Sequence, residues 1–375
     1  MKKIFLICCL FIIGIIGTGC VEADNGQSAA TNANGDDVIT LKVSTGLSPQ
    51  NGWWVGFFTP WMERVEKETD GRVKFEAYTA AELLPIGEEL QALRDGTIDI
   101  AAPIWTVYDP QRFPLSEVTM LPLTQSDPMI AAKAFAELIS SDKELKDGKT
   151  FVEYEYSDKG IKVLPIPTTE QYVISTKDQK VETAQDLKKL TLRSPSRVHE
   201  MFAKKVGINT VSMPSSELFD AVNRGAVSGS FFSVADWTGY GMQDVFNYTL
   251  EGINLGHFSS IWAMSEEKWN SLPDDVKKIM ENAAYDLIDD GAQEWMNRSE
   301  ENRKDVTEKG AVFETVDDID PKAKELLVKG TEETWMTWIE ELENNGHPGK
   351  EIAKLWRDLL IEQGGDVPQA IKDLK

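Results

Sequence analysis

Histidine, cysteine and basic charge are scarce in this chain, and each scarcity excludes something. The three histidines, His199, His257 and His347, stand far apart with no partner at metal-ligand spacing, so no metal site is expected. Cys8 and Cys9 lie inside an N-terminal apolar run. Only Cys20 would outlast removal of that run, which leaves no intramolecular disulfide. The 39 basic residues are outnumbered by 62 acidic ones, for a net charge of −23. A phosphate backbone would be repelled by that balance, so nucleic acid is excluded as a partner. After the N-terminal run no apolar stretch is long enough to cross a membrane. There is no nucleophile elbow, no Walker loop and no dinucleotide fingerprint; Gly239-Tyr240-Gly241 lacks the third glycine and its context. Carboxylates are plentiful, but nothing singles out an acid/base pair. Neither a cofactor nor enzyme activity is expected.

What is present begins with a leader. Lys2 and Lys3 precede the apolar run Ile4 to Ile16, and Gly17-Thr18-Gly19 places small residues before Cys20. This reads as a secretory signal over residues 1–19. A cysteine directly after the small residues suggests lipidation at Cys20, although Gly17 stands where a lipobox prefers Leu. An ordinary cleaved signal is the alternative. Residues 20–37 are rich in Ala, Asn, Gly, Asp and Ser and read as a flexible tether.

The remaining body is long for one core, so two domains are expected. ITLKVS (Ile39 to Ser44) alternates as a strand, an aromatic helix follows Trp53-Trp54, and VKFEAY (Val73 to Tyr78) is the next strand. A weak internal repeat supports two similar α/β lobes. EELQALRDGTIDIA (Glu88 to Ala101) aligns with ELFDAVNRGAVSGS (Glu217 to Ser230): Glu88 matches Glu217, Ala92 matches Ala221, Gly96 matches Gly225 and Ile98 matches Val227. Each glycine is predicted to end a helix in the left-handed region and turn the chain into a buried strand.

One stretch, Asp186 to Gly229, carries the strongest site signal. Leu190-Thr191-Leu192 reads as a strand closed by Arg193. Ser194, Pro195 and Ser196 mark a helix start, and Gly207 a helix stop. An arginine at a strand's carboxyl end, beside a helix N-terminus, suits a carboxylate. A strand-end arginine paired with a neighbouring Asp or Glu is the alternative.

The pattern D-L-K-x-L-x-[LI]-R, then a helix, then M-x-x-S-E-L-x-x-A-x-x-x-G resembles the solute-binding proteins of tripartite ATP-independent periplasmic (TRAP) transporters, the DctP-type family. Met264-Ser265 through Trp269 to Leu272-Pro273 fits the same family's M-[SN]-x-x-x-W-x-x-L-P. The resemblance covers nearly the whole chain after the tether. It implies a two-lobe periplasmic-binding-protein-like α/β fold with a long helix spanning both lobes. Lobe I is expected at 38–166 plus 252–297, and lobe II at 167–251 plus 298–375 with C-terminal helices. It further implies capture of a small organic acid between the lobes, delivery to the small and large subunits of a TRAP membrane permease, and an extracytoplasmic, lipid-anchored location. A ligand-binding lipoprotein feeding a sensor or receptor is the alternative.

In the family the arginine closing the first motif clamps the solute carboxylate; that position is Arg193. Residues just after strands complete the candidate set: Trp53, Trp54, Trp105, Gln171, Tyr172, Ser215, Phe231 and Phe232. Trp53, Trp54 and Phe231 are equally compatible with core packing. Two departures from the family bear on the solute. Many members carry a second arginine near Gln171, where this chain has Glu170-Gln171-Tyr172. The polar amide expected at Phe232 is an aromatic. Together with Ser215, these changes predict a monocarboxylate with an apolar or aromatic body over a sugar acid or dicarboxylate.

Overall fold

The computed structural model describes residues 37–375. The signal segment, Cys20 and the tether through residue 36 lie outside the described residues. In chain order the first strands are β1 (Ile39–Ser44), β2 (Val73–Tyr78), β3 (Ile100–Ile104), β4 (Ile161–Pro165) and β5 (Val173–Thr176). Then come β6 (Thr191–Ser194), β7 (Asn209–Ser212), β8 (Gly229–Phe232), β9 (Tyr248–Glu251), β10 (Ile261–Ser265) and β11 (Val312–Thr315). They form two sheets, β2-β1-β3-β10-β4 and β11-β9-β5-β8-β6-β7. In the first, β1 runs parallel to β2 and β3, and β10 is antiparallel to β3 and β4. In the second, β6 runs parallel to β7 and β8, while β5 is antiparallel to β8 and β9. The β3 sequence IAAPI is buried at every position, as a central strand covered on both faces requires.

The repeated glycine module is a structural repeat. Helix Glu89–Arg94 leads through Gly96 (φ +66°) into β3, and helix Leu218–Asn223 leads through Gly225 (φ +73°) into β8. The Thr97 N–H donates to Ala92 O, and the Ala226 N–H donates to Ala221 O, both at 2.9 Å. The two alanines aligned from sequence thus supply equivalent carbonyl acceptors, each closing its helix end. Helix Arg197–Val206 starts at Ser196, whose side chain accepts the His199 N–H, and ends at Gly207 (φ +83°). Pro195 therefore precedes the cap, and β6 runs one residue past Arg193.

Besides the helical stretch 266–311, which leads from β10 to β11, two segments join the sheets, 166–172 outward and 252–260 back. They are hydrogen-bonded to each other: Thr169 N–H to Phe258 O at 3.0 Å and Tyr172 N–H to Gly256 O at 2.9 Å. A Cβ at Gly256 would lie 2.4 Å from the Met120 backbone, so only glycine fits this crossing. The returning strand expected over Leu255 to Met264 is shorter, Ile261–Ser265, because residues 255–260 belong to the crossing. The long helix is broken once at Leu287 into Asp274–Asp286 and Ile288–Glu308. Its second part packs on helix Pro128–Ser140, which touches β4, and on the Val234–Asp236 turn after β8, so it reaches both sheets' units. Helix Pro321–Asn344 packs on Arg197–Val206, and helix Gly349–Glu362 packs on Pro128–Ser140. Trp335, Trp338 and Trp356 on these helices are fully buried, and Trp335 Nε1 donates to Pro122 O at 2.6 Å. Among the described residues no helix is long and apolar enough to cross a membrane.

Candidate functional site

Strand β6 carries Arg193 into the space between the sheets, where the side chain is completely buried. Its Nε donates to Met213 O at 2.9 Å, and Nη2 donates to the hydroxyls of Tyr108 and Ser215, each at 3.1 Å. Tyr108 and Ser215 also share a hydrogen bond at 3.2 Å. Tyr108 follows β3 of the first sheet and Ser215 follows β7 of the second, so both units hold the guanidinium. The Nη1 nitrogen is buried with no hydrogen-bond partner. None of the ion pairs among the described residues includes Arg193. A buried guanidinium nitrogen left without a partner is costly.

Aromatic rings enclose this charge. The guanidinium lies 5.7 Å from the Phe232 ring centre. Phe232 meets Tyr172 and Tyr240 edge to face at 5.9 and 5.6 Å. Tyr172 stacks on Phe258 at 6.2 Å, Phe258 meets Tyr108 at 5.2 Å, and Tyr108 stacks on Trp105 at 5.7 Å. Trp53 closes the series against Trp105 and Phe258, its Nε1 donating to Pro167 O at 2.6 Å. A groove of about 600 Å³ opens beside Tyr108 and Met213, with Pro195, Arg197 and Glu200 on its walls.

The polar groups around the rings are few. Asp236 is buried, and Asn51 Nδ2 donates to its Oδ1 at 3.3 Å. Burial pushes the Asp236 carboxyl up to about 7; Arg298 and Arg193 pull it back and Glu170 adds to the rise. Burial, helped by Arg193, pushes His199 down to about 3, so it stays neutral and supplies no second positive charge. Glu170 is buried but engaged elsewhere: it accepts from the Ala235 N–H at 2.9 Å, from Ser299, and from Arg303 at 3.3 Å. Across the lobe interface, Glu117 accepts the Arg197 N–H at 3.0 Å and its Nε and Nη2 at 2.9 and 2.7 Å. Among the described residues no group of three or more His, Cys, Asp or Glu is placed to hold a metal ion.

Of the residues singled out from sequence, Arg193, Ser215, Tyr172, Phe232, Trp105 and Trp53 are gathered in this one constellation. Three are not. Trp54 packs on Phe58, Phe231 packs behind the sheet on His199 and Phe202, and Gln171 lines a separate groove with Asn254 and Arg303. Strand alternation explains Phe231, which points opposite to Phe232 in β8, while Gln171 lies in the crossing before β5. Tyr108, Tyr240, Phe258 and Asp236 belong to the constellation and were not singled out; only the aromatic content of residues 104–122 hinted at Tyr108.

Two α/β units thus hold between them a buried arginine that takes part in no ion pair among the described residues and has one nitrogen without a hydrogen-bond partner. The chain belongs to the family of bacterial extracellular solute-binding proteins, family 7 (DctP), which matches residues 44–338. A curated solute-binding protein of Albidiferax ferrireducens is 22% identical over 225 residues, a match spanning 58% of this chain and 61% of that protein's own length. The fold is that of TRAP solute-binding proteins. One from Rhodoferax ferrireducens, solved with copurified benzoate, superposes with a TM-score of 0.75 at 24% identity, covering 87% of this chain and 99% of that one. A marine metagenome protein specific for aromatic acid ligands, solved with 3-hydroxybenzoate, gives a TM-score of 0.77 at 22% identity, with coverage of 87% and 99%.

Proposed function

We propose that this protein captures a small aromatic monocarboxylate between its two lobes and delivers it to a TRAP membrane permease. The observation that carries this reading is the Arg193 Nη1, buried and without a partner inside a wall of rings. A carboxylate there gains a charge-assisted hydrogen bond from Nη1, and the ring that bears it packs on Phe232, Tyr172, Phe258 and Trp105. A second cationic clamp is missing, since Gln171 faces a different groove and His199 is neutral, so a second carboxylate would stay unpaired. The benzoate and 3-hydroxybenzoate found in the two fold relatives agree with this choice.

The test is a calorimetric titration with benzoate, mandelate, D-glucuronate and L-malate. Saturable one-to-one binding of the aromatic acids alone is expected; preference for glucuronate or malate overturns the ligand class. Permease coupling is tested by co-purification with the membrane subunits from the native host. Within the same reading Cys20 carries a lipid anchor, and mass spectrometry of the mature N-terminal peptide would show the acyl chains. An unmodified or absent Cys20 contradicts the anchor.

A further inference from the structure

The strand-to-helix junction that carries Arg193 grips the first unit at a second point. Arg197 opens the helix Arg197–Val206, whose cap Ser196 turns its hydroxyl to the N–H and Nδ1 of His199. The N–H of a helix's first residue has no partner within the helix. Here it donates at 3.0 Å to Oε1 of Glu117, which lies in the turn Ser116–Met120 of the first unit. Glu117 Oε2 accepts from Nε and Nη2 of the same arginine at 2.9 and 2.7 Å. Both carboxylate oxygens are therefore engaged by one residue of the other unit, and Glu117 is completely buried.

This contact differs from the ligand clamp. Arg193 keeps a buried nitrogen without a partner, whereas no buried side-chain atom of Glu117 or Arg197 lacks one. With both oxygens engaged, Glu117 offers no acceptor to a ligand. What the pair joins is the two units. The groove of about 600 Å³ runs between them, with Pro195 and Arg197 on one wall and Ile86, Val107 and Tyr108 on the other. Parting the units at this groove would break three charge-assisted hydrogen bonds at once.

We propose that Glu117 and Arg197 are positioning residues that latch the closed form: they raise ligand affinity by favouring the joined state of the two units, without touching the ligand. This rests on the reading that the lobes close on a ligand held by Arg193. A ligand that binds the closed form has an apparent affinity scaled by the population of that form, so a contact made only there strengthens binding at a distance. The same contact must break before the ligand leaves, so its loss speeds dissociation.

The experiment compares the purified protein with Glu117→Gln and with the double variant Glu117→Gln/Arg197→Met, using benzoate as the probe. The double variant removes both charges at similar volume, so no uncompensated charge is left to unfold it. Small-angle scattering without ligand should show both variants more expanded than the parent. Benzoate affinity by calorimetry should fall about tenfold or more, and stopped-flow binding should place the loss in faster dissociation, with association changed by no more than about twofold. Saturating benzoate should return both variants to the scattering profile of the liganded parent, which a damaged fold would not do. Dissociation rates within about twofold of the parent's in folded variants, even with a lower melting temperature, would make the pair a static brace; the latch is then overturned and the Arg193 clamp stands. If the parent does not bind benzoate, the proposed ligand class falls and the ligand-free scattering decides the latch by itself: expansion of both variants supports it, and profiles identical to the parent's overturn it.

Discussion

Tyr108 takes a 3.1 Å hydrogen bond from Arg193, 85 residues further along the chain, and so ties the loop after β3 to the strand β6 of the other sheet. This contact does two things. It fixes the plane of the guanidinium, and it holds an aromatic ring of the first unit over the site. Tyr108→Phe keeps the ring and removes the acceptor. Benzoate affinity should fall roughly tenfold, about the value of one hydrogen bond to a charged group, with the melting temperature little changed. Unaltered affinity in calorimetry would show that Arg193 is held by Ser215 and Met213 alone.

Phe232 is the position where this chain has a ring in place of an amide. Its face lies toward the Arg193 guanidinium and its edges toward Tyr172 and Tyr240. Phe232→Asn removes packing for the ligand's body and introduces hydrogen-bonding groups. The ratio of benzoate to L-malate affinity should drop by about tenfold or more, since ring contacts of this kind contribute roughly 1 kcal/mol each. A ratio that stays constant across the two proteins would remove Phe232 from the selectivity argument.

Glu117 and Arg197 also join the two units. Burial raises the Glu117 carboxyl and Arg197 pulls it back down. Removing one partner of such a pair leaves a buried charge behind. Arg197→Ala should cost up to about 3 kcal/mol of stability, reduced by the partial exposure of Arg197, and adding Glu117→Gln should recover part of that loss. Chemical denaturation of the parent, both single variants and the double variant measures this. Strict additivity would mean that the pair contributes no coupling.

Asp236 gives a pH signature. Its carboxyl is near 7 in the fold against the usual 3.8, with burial first among the causes, Arg298 and Arg193 opposing and Glu170 reinforcing. The fold therefore keeps this proton where the unfolded chain gives it up. The contribution to stability is full below about pH 4 and is lost as pH rises toward about 7. Asp236→Asn removes this loss, so without ligand its melting temperature relative to the parent should rise between about pH 5 and pH 8. A difference that stays flat over that range would show that Asp236 ionises normally.

The parts of the site that local pattern could reveal are those set by a few neighbouring residues. Arg193 stands out because its strand, cap and helix are contiguous in sequence. The two glycine modules stand out because a left-handed helix end needs glycine. Trp53 and Trp54 could not be separated, because both lie at the entry to the wide helical turn at Trp54–Phe58, which matches no simple period. Phe231 and Phe232 could have been assigned opposite faces by strand alternation, but which face meets the ligand depends on the other sheet's unit. Asp236 and Tyr240 follow β8, the neighbour of Arg193's own strand, whereas Tyr108 comes from the first unit and Phe258 from the return crossing. Their contribution is tertiary, and no local signal marks it.

The most direct test of the account is calorimetric titration of an aromatic monocarboxylate that the parent protein binds, repeated on Arg193→Ala and Arg193→Lys. The parent should bind one molecule per chain. Arg193→Ala should lose at least about a hundredfold in affinity while remaining folded, and Arg193→Lys should recover little, because an ammonium does not reproduce the guanidinium fork. Affinity within a few-fold of the parent in a folded Arg193→Ala protein would contradict the carboxylate clamp and the function built on it.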